Sequence, residues 1–200
     1  IIAIMRDARK RHLKPGGVMI PRRIAQYAAA VTTPRIHGEL TTWDDVGFGI
    51  DFAPARTMGL NNIYVRTMGP ADLLDEGRSA VRWDAFDLMD GPSSTRKGEA
   101  TFKPKAPATI YGLALWWTAE LVPGNTLSTA PDAPRTHWEQ LYLPLLEPMP
   151  LETGERAVAS LRSRTTHEAG TTLAWTAVHF DAKGNVRSRQ ALDLEKGYLP

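Results

Sequence analysis

The sequence of 200 residues contains no cysteine. Disulfides and thiolate metal sites are thereby excluded, and a reducing, cytosolic home is the expectation. It also lacks any apolar run near the ~20 residues that a membrane-crossing helix needs, so no membrane partner is expected. "IIAIM" at the start has neither the basic segment nor the length of a signal peptide. Charge of one sign is missing too, since 24 Lys and Arg stand against 22 Asp and Glu. There is no dinucleotide or phosphate-cradling glycine motif and no H-E-x-x-H; "GFG" at Gly47–Gly49 is too short to count. His37 with Glu39 falls short of the three or four ligands of a metal site. His12 lies among helix-terminal cations, His167 and Glu168 sit in a polar turn, and His179 alternates onto the face of Trp175 as a satisfied histidine. No Ser-His-Asp grouping stands out in the linear order, although such a triad is assembled in space.

What is present reads as one domain with a leading element. A chain of this length buries roughly 70% of its unfolded surface and needs no staples. Ile1, Ile4, Met5 and Ala8 recur at helical spacing, and "KPGG" (Lys14–Gly17) stops that helix. No initiator methionine, cap or polar first turn precedes Ile1, so the expectation is a chain that begins inside a helix. "RDARKRHLK" (Arg6–Lys14) reads either as a phosphate-binding patch or as cations complementing the helix dipole. The second reading is preferred, and no nucleic-acid partner is expected.

After Gly17 the pattern alternates. Ala25, Tyr27, Ala29 and Val31 mark a strand. "ATIYGLALWWTAEL" puts Tyr111, Leu113, Leu115, Trp117, Ala119 and Leu121 on one buried face and Trp116 on the other. "EQLYLPLLEP" repeats this with Leu141, Leu143 and Leu145, and "LETGERAVASL" is a turn into a further strand. "TTLAWTAVHF" follows, and "DAKGN" turns it into "VRSRQALDLE". The prediction is mainly β: an antiparallel barrel or sandwich. "PADLLDEGRSAV" predicts a short helix ending at Gly77.

Two stretches interrupt this regularity. Residues 52–70, "FAPARTMGLNNIYVRTMGP", surround an apolar tip of Leu60, Ile63, Tyr64 and Val65. They form either a packed excursion or an arm that docks on a partner, with Met58 and Met68 as adaptable contacts. Ser128–Leu145, "STAPDAPRTHWEQLYLPL", sets three prolines around Thr136-His137-Trp138. Prolines fix their own φ and bias the preceding residue toward extended shapes. Such a stiff loop either holds Trp138 as a core plug or presents it to a pocket, where an indole offers a flat face to a cation.

"RKRHLKPGGVMIPRRIAQYAAAV" resembles the junction of protein arginine methyltransferases, where a helix ends in a Pro-Gly turn and runs into a β-barrel. "STAPDAPRTHWEQLYLPLLEPMPLETGE" resembles that family's later block, with its proline-rich loop, Thr-His-Trp triplet, apolar strand and Gly-Glu. The resemblance covers essentially the whole chain. It implies that residues 1–16 are the last helix of a Rossmann-type domain lying upstream, which binds S-adenosyl-L-methionine and carries a glutamate pair. Residues 17–200 are then the β-barrel substrate domain, with a helical dimerisation arm at about 52–70. The resemblance further implies that Thr136, His137 and Trp138 close one side of an arginine pocket, with His137 paired to an upstream acid. Leu60, Ile63 and Tyr64 would dock on a second subunit to make a homodimer. The implied acceptor is a protein or peptide arginine. The mild basic lean, with Asp72, Asp75 and Glu76 as the tight acidic cluster of the first half, keeps a small-molecule acceptor open. A non-catalytic β-barrel binding module is the other alternative; sequence upstream of Ile1 separates the three.

Overall fold

Strand-forming alternation becomes two antiparallel sheets in the computed structural model, which describes residues 2–166 and 168–199. His167, expected in a polar turn, lies outside them. In chain order the elements are α1 (Ile2–His12), β1 (Arg23–Val31), α2 (Arg35–Leu40), α3 (Ala53–Leu60), β2 (Tyr64–Arg66), β3 (Val81–Asp87) and β4 (Thr95–Phe102). They continue with β5 (Ala108–Val122), β6 (Asn125–Ser128), β7 (Gln140–Leu151), β8 (Arg156–Thr166), β9 (Gly170–Phe180), β10 (Val186–Asp193) and β11 (Gly197–Leu199). The first sheet runs β2-β7-β5-β1-β3, with β6 also paired to β5; the second runs β11-β10-β9-β8-β4.

The layers follow from which side chains each strand can hide. Between the sheets lie Phe102, Leu113, Leu115, Leu143, Leu145, Leu161, Trp175 and Leu192. On the outer face of the first sheet α2 and α3 cover a second cluster of Ala29, Val31, Ile36, Leu40, Leu60, Trp116 and Tyr142. The expectation of one buried face on β5 is therefore corrected. Both faces are buried, and Trp116 stacks on Tyr27 beneath the helical layer, with ring centroids 6.0 Å apart. A register shift between Ile110 and Gly112 also takes Tyr111 off the Leu113 face, to lie against the His37 ring. Alanines dominate β1 because it is hidden on both sides: Ala28 and Ala30 face the first cluster, Ala29 the second.

The closed barrel is not formed, which corrects that part of the expectation, while the mainly β antiparallel class holds. Among the described residues no strand of one sheet pairs with a strand of the other. Side chains join the two seams where a ladder would have run. Arg96 of β4 reaches across to β3, donating to both oxygens of Asp84 and to the Ala85 carbonyl at 3.1 Å. At the other seam the Gln190 amide of β10 accepts the Glu147 N–H at 3.0 Å and donates to the Glu147 carbonyl at 2.7 Å. The helix expected to end at Gly77 is two 3-10 turns, Pro70–Asp72 and Leu74–Gly77, because Asp75 and Glu76 adopt φ of 50° and 55°.

Two buried titratable groups contribute to the acid limb of stability. Burial lowers the His37 pKa from 6.5, only partly offset by the bond between Nε2 and the Leu145 carbonyl. The Glu155 carboxyl is held below 4.5 by the Glu152 N–H and by His179 at 2.8 Å. In both cases the unfolded chain takes up the proton first, so stability falls as pH falls. The melting temperature should start to fall as pH drops below 6.5 and fall again below 4.5. His37→Gln should flatten the first step and leave the second, as thermal melts across that range will read.

Candidate functional site

The proline loop leaves β6 at Ser128 and returns at β7. Its two ends are anchored before its tip is reached. The Thr129 N–H and hydroxyl both donate to the Trp117 carbonyl, at 3.0 and 3.1 Å, and the hydroxyl accepts the Trp117 N–H at 3.2 Å. At the return, Glu139 sits at φ 50°, a left-handed conformation that costs free energy in a residue with a side chain. Its carboxylate accepts the Thr67 hydroxyl at 2.5 Å and the Arg135 guanidinium at 2.9 Å. The Thr67 hydroxyl and then Arg135 hold the Glu139 carboxyl below its usual range, so it stays ionised and the tether persists into acid.

Between these anchors Trp138 is 48% exposed. It is not a core plug, and it belongs to neither cluster. Its edge meets the Trp117 ring, centroids 5.6 Å apart at 65°, and the His137 ring lies 4.1 Å from it. Thr136, His137 and Trp138 are thus held together on one stiff ledge. The acidic partner expected for His137 is not met within the chain: among the described residues it makes no hydrogen bond. Two surface grooves of about 440 and 450 Å³ lie elsewhere, over Ala25, Ala85 and Thr118 and over Lys97, Ser160 and Arg162. Neither is lined by the triplet. The ledge is one wall, open on its other side.

The excursion divides differently from the expectation. Leu60 is fully buried in the second cluster, Tyr64 is half-buried with its hydroxyl donating to the Gly59 carbonyl at 2.5 Å, and Ile63 packs on the first cluster. Met68 is buried as well. Leu60, Ile63 and Tyr64 of the expected docking tip hold the excursion onto its own chain, while Val65 beside them stays exposed. Arg56 adds to that hold through the Leu146 carbonyl at 3.2 Å. The large apolar side chains left outside between Trp43 and Met68 are Trp43, Val46, Phe48, Ile50, Met58 and Val65, and Phe48 is 91% exposed. Gly47, Phe48 and Gly49 have φ of 77°, 62° and 66°, a left-handed run that glycine adopts freely and that is strained only at Phe48. The "GFG" discounted as a phosphate motif is the tip of this segment. Exposure of these side chains was not readable from sequence; two glycines flanking one Phe were the available sign.

Among the described residues there is no group of three or more His, Asp or Glu that could hold a metal ion. No helix is long and apolar enough to cross a membrane. A nucleoside cofactor finds no glycine-rich strand-to-helix turn in the sequence, so the residues of this chain do not fit one.

Residues 23–179 match the family model described as the arginine methyltransferase oligomerization subdomain. The chain belongs to that family. An arginine N(omega)-methyltransferase of Streptomyces achromogenes subsp. streptozoticus is 28% identical over 165 residues, which cover 78% of this chain and 42% of that protein. The protein arginine N-methyltransferase 6 of Xenopus laevis is 29% identical over 158 residues, covering 72% of this chain and 45% of that one. Among solved structures, the Trypanosoma brucei PRMT1 enzyme-prozyme heterotetrameric complex with AdoHcy superposes with a TM-score of 0.79 at 19% identity, over 96% of this chain and 62% of that one. Arabidopsis thaliana protein arginine methyltransferase 10 gives 0.71 at 15% identity, over 96% and 65%. The chain therefore spans less than half the length of the Streptomyces and Xenopus relatives. The resemblance read from the Pro-Gly junction and the Thr-His-Trp block is borne out.

Proposed function

We propose that the chain is the acceptor-facing and oligomerising part of an S-adenosyl-L-methionine-dependent arginine N-methyltransferase. The observation that carries the reading is Trp138, half-exposed on a loop anchored at both ends in a member of the oligomerization subdomain family. Transfer of a methyl group to a guanidinium nitrogen depends on holding that nitrogen in line with the sulfonium carbon. An indole face stacks on a planar guanidinium and excludes water from one side of it. The cofactor supplies the electrophilic methyl group and is bound by the half of the protein upstream of this chain, with the orienting glutamates. Thr136, His137 and Trp138 supply the opposite wall.

The Xenopus relative is named for protein arginine and the Streptomyces relative for arginine itself, so both acceptor forms belong in the test. An open wall suits a guanidinium carried on a chain, and peptide arginine is the reading preferred here. The full-length protein, given labelled S-adenosyl-L-methionine, should methylate an arginine peptide faster than free L-arginine. Transfer to neither would end the proposal. The cytoplasm, where that cofactor is made, is the compartment proposed.

The exposed segment from Trp43 to Met58 is the proposed subunit contact, in a homodimer. Replacing Phe48, Ile50 and Met58 together by Ser should turn the full-length dimer into monomer on sizing with light scattering, with little change in melting temperature. Leu60→Ser should instead lower the melting temperature, since it opens the second cluster. A dimer that survives the triple change would place the contact elsewhere.

A further inference from the structure

Gln140 is the first residue of β7, and only 8% of it is exposed. Its amide joins two segments that are far apart in the chain. Oε1 accepts the Met68 N–H at 2.9 Å, and Nε2 donates to the Thr129 carbonyl at 2.9 Å. Met68 lies where the excursion returns after β2; Thr129 lies where the proline loop departs. Thr129 is itself locked to Trp117, whose ring carries the edge of Trp138. Beside it, Glu139 and Arg135 both bond Thr67 of the same return segment. The contacts run in an unbroken path from Met68 through Gln140, Thr129 and Trp117 to Trp138.

We propose that Gln140 is a positioning residue for acceptor binding: it fuses the Thr136–Trp138 wall to the return of the oligomerising excursion, so that the two move as one body. The proposal rests on the acceptor reading of Trp138. The chemistry selects the residue. The site needs an acceptor and a donor on one short planar group, both buried. Leaving either backbone group unpaired costs free energy on the order of 1–3 kcal/mol, enough to let the loop wander. Methionine has neither function. A glutamate has both only while protonated: its carbonyl then accepts from Met68 and its hydroxyl donates to Thr129, whereas the carboxylate would face the Thr129 carbonyl oxygen.

The test uses the full-length protein with Gln140→Met and Gln140→Glu. Hydrogen exchange read by mass spectrometry should speed up by about ten-fold in both the 67–69 and the 129–139 segments of the Met variant, as loss of a bond worth ~1.4 kcal/mol requires, with the second sheet unchanged. The acceptor KM should rise by a similar factor, while kcat and the KM for S-adenosyl-L-methionine stay put. Gln140→Glu should match the Met variant at pH 8 and regain wild-type protection of both segments at pH 5. A space-filling role would give no such rescue, and the low-pH reading keeps the test open if the Met variant does not fold. Loosening of one segment alone, loosening with no change in acceptor KM, or no rescue at low pH overturns the proposal. Wild-type protein that methylates no arginine acceptor overturns the acceptor reading instead, while the exchange pattern still decides whether the clamp exists.

Discussion

Trp138→Ala should lower methyl transfer by the full-length protein by about 100-fold, equivalent to ~2.7 kcal/mol in the barrier, with the sheets still folded. Loss of that size follows when one wall of a positioning site is removed, because small misplacements of the reacting nitrogen are expensive in rate. The fold should barely register the change. Trp138 is 48% exposed and lies outside both hydrophobic clusters, so its truncation leaves no sealed cavity. A buried tryptophan in its place would cost about 3–5 kcal/mol. The comparison is therefore turnover against melting temperature for the same variant. A melting temperature that collapses, with turnover falling only in step with folded protein, would return the ledge to a packing role.

Gly98→Ala should be the most damaging single-methyl addition among the described glycines. A Cβ built on Gly98 would lie 1.9 Å from the Trp83 carbonyl oxygen and 2.8 Å from its carbon, so backbone must move. The strands that must part are β4 and β3, the seam joined by Arg96 and Asp84. Separation would draw that ion pair, 2.5 Å at its shortest and with Asp84 only 5% exposed in its side chain, toward water or break it. The expected cost is about 3 kcal/mol or more, a fall of roughly 6–12 °C in melting temperature for a domain of this size. Gly38→Ala is the control. It sits inside α2 with open space around it, and alanine should be neutral or stabilising by up to ~1 kcal/mol there. Equal melting temperatures for Gly98→Ala and the wild type would mean that the seam is looser than described.

Much of the fold was legible because alternation is a local signal. Leu141, Leu143 and Leu145 share a face in β7 as their spacing requires, and the Asp181–Asn185 turn joins β9 to β10. What escaped was set by tertiary contacts. The register shift at Ile110 depends on pairing with β7, so Tyr111 could not be placed from its neighbours in sequence. Leu60 and Phe48 are both apolar residues in a turn-rich stretch, and composition assigns the exposed role to neither. The chain buries Leu60 at the end of α3 and leaves Phe48 on a left-handed run of backbone. The ledge itself was visible as prolines around a Thr-His-Trp triplet. Its anchors were not, since Thr129–Trp117 and Gln140–Met68 are hydrogen bonds between residues that no spacing rule connects.

The central claim is that an arginine acceptor lies against Trp138. Fluorine NMR tests it most directly, on full-length protein carrying 5-fluorotryptophan, with the Trp138 signal assigned by its loss in Trp138→Phe. With S-adenosylhomocysteine present, titration with an arginine peptide should shift the Trp138 resonance and, more weakly, that of Trp117, while Trp83 and Trp175 in the sheet interface stay still. A lysine peptide of the same sequence should move none of them. Peptide binding measured in the same sample by anisotropy, with the Trp138 signal unmoved, would contradict the account.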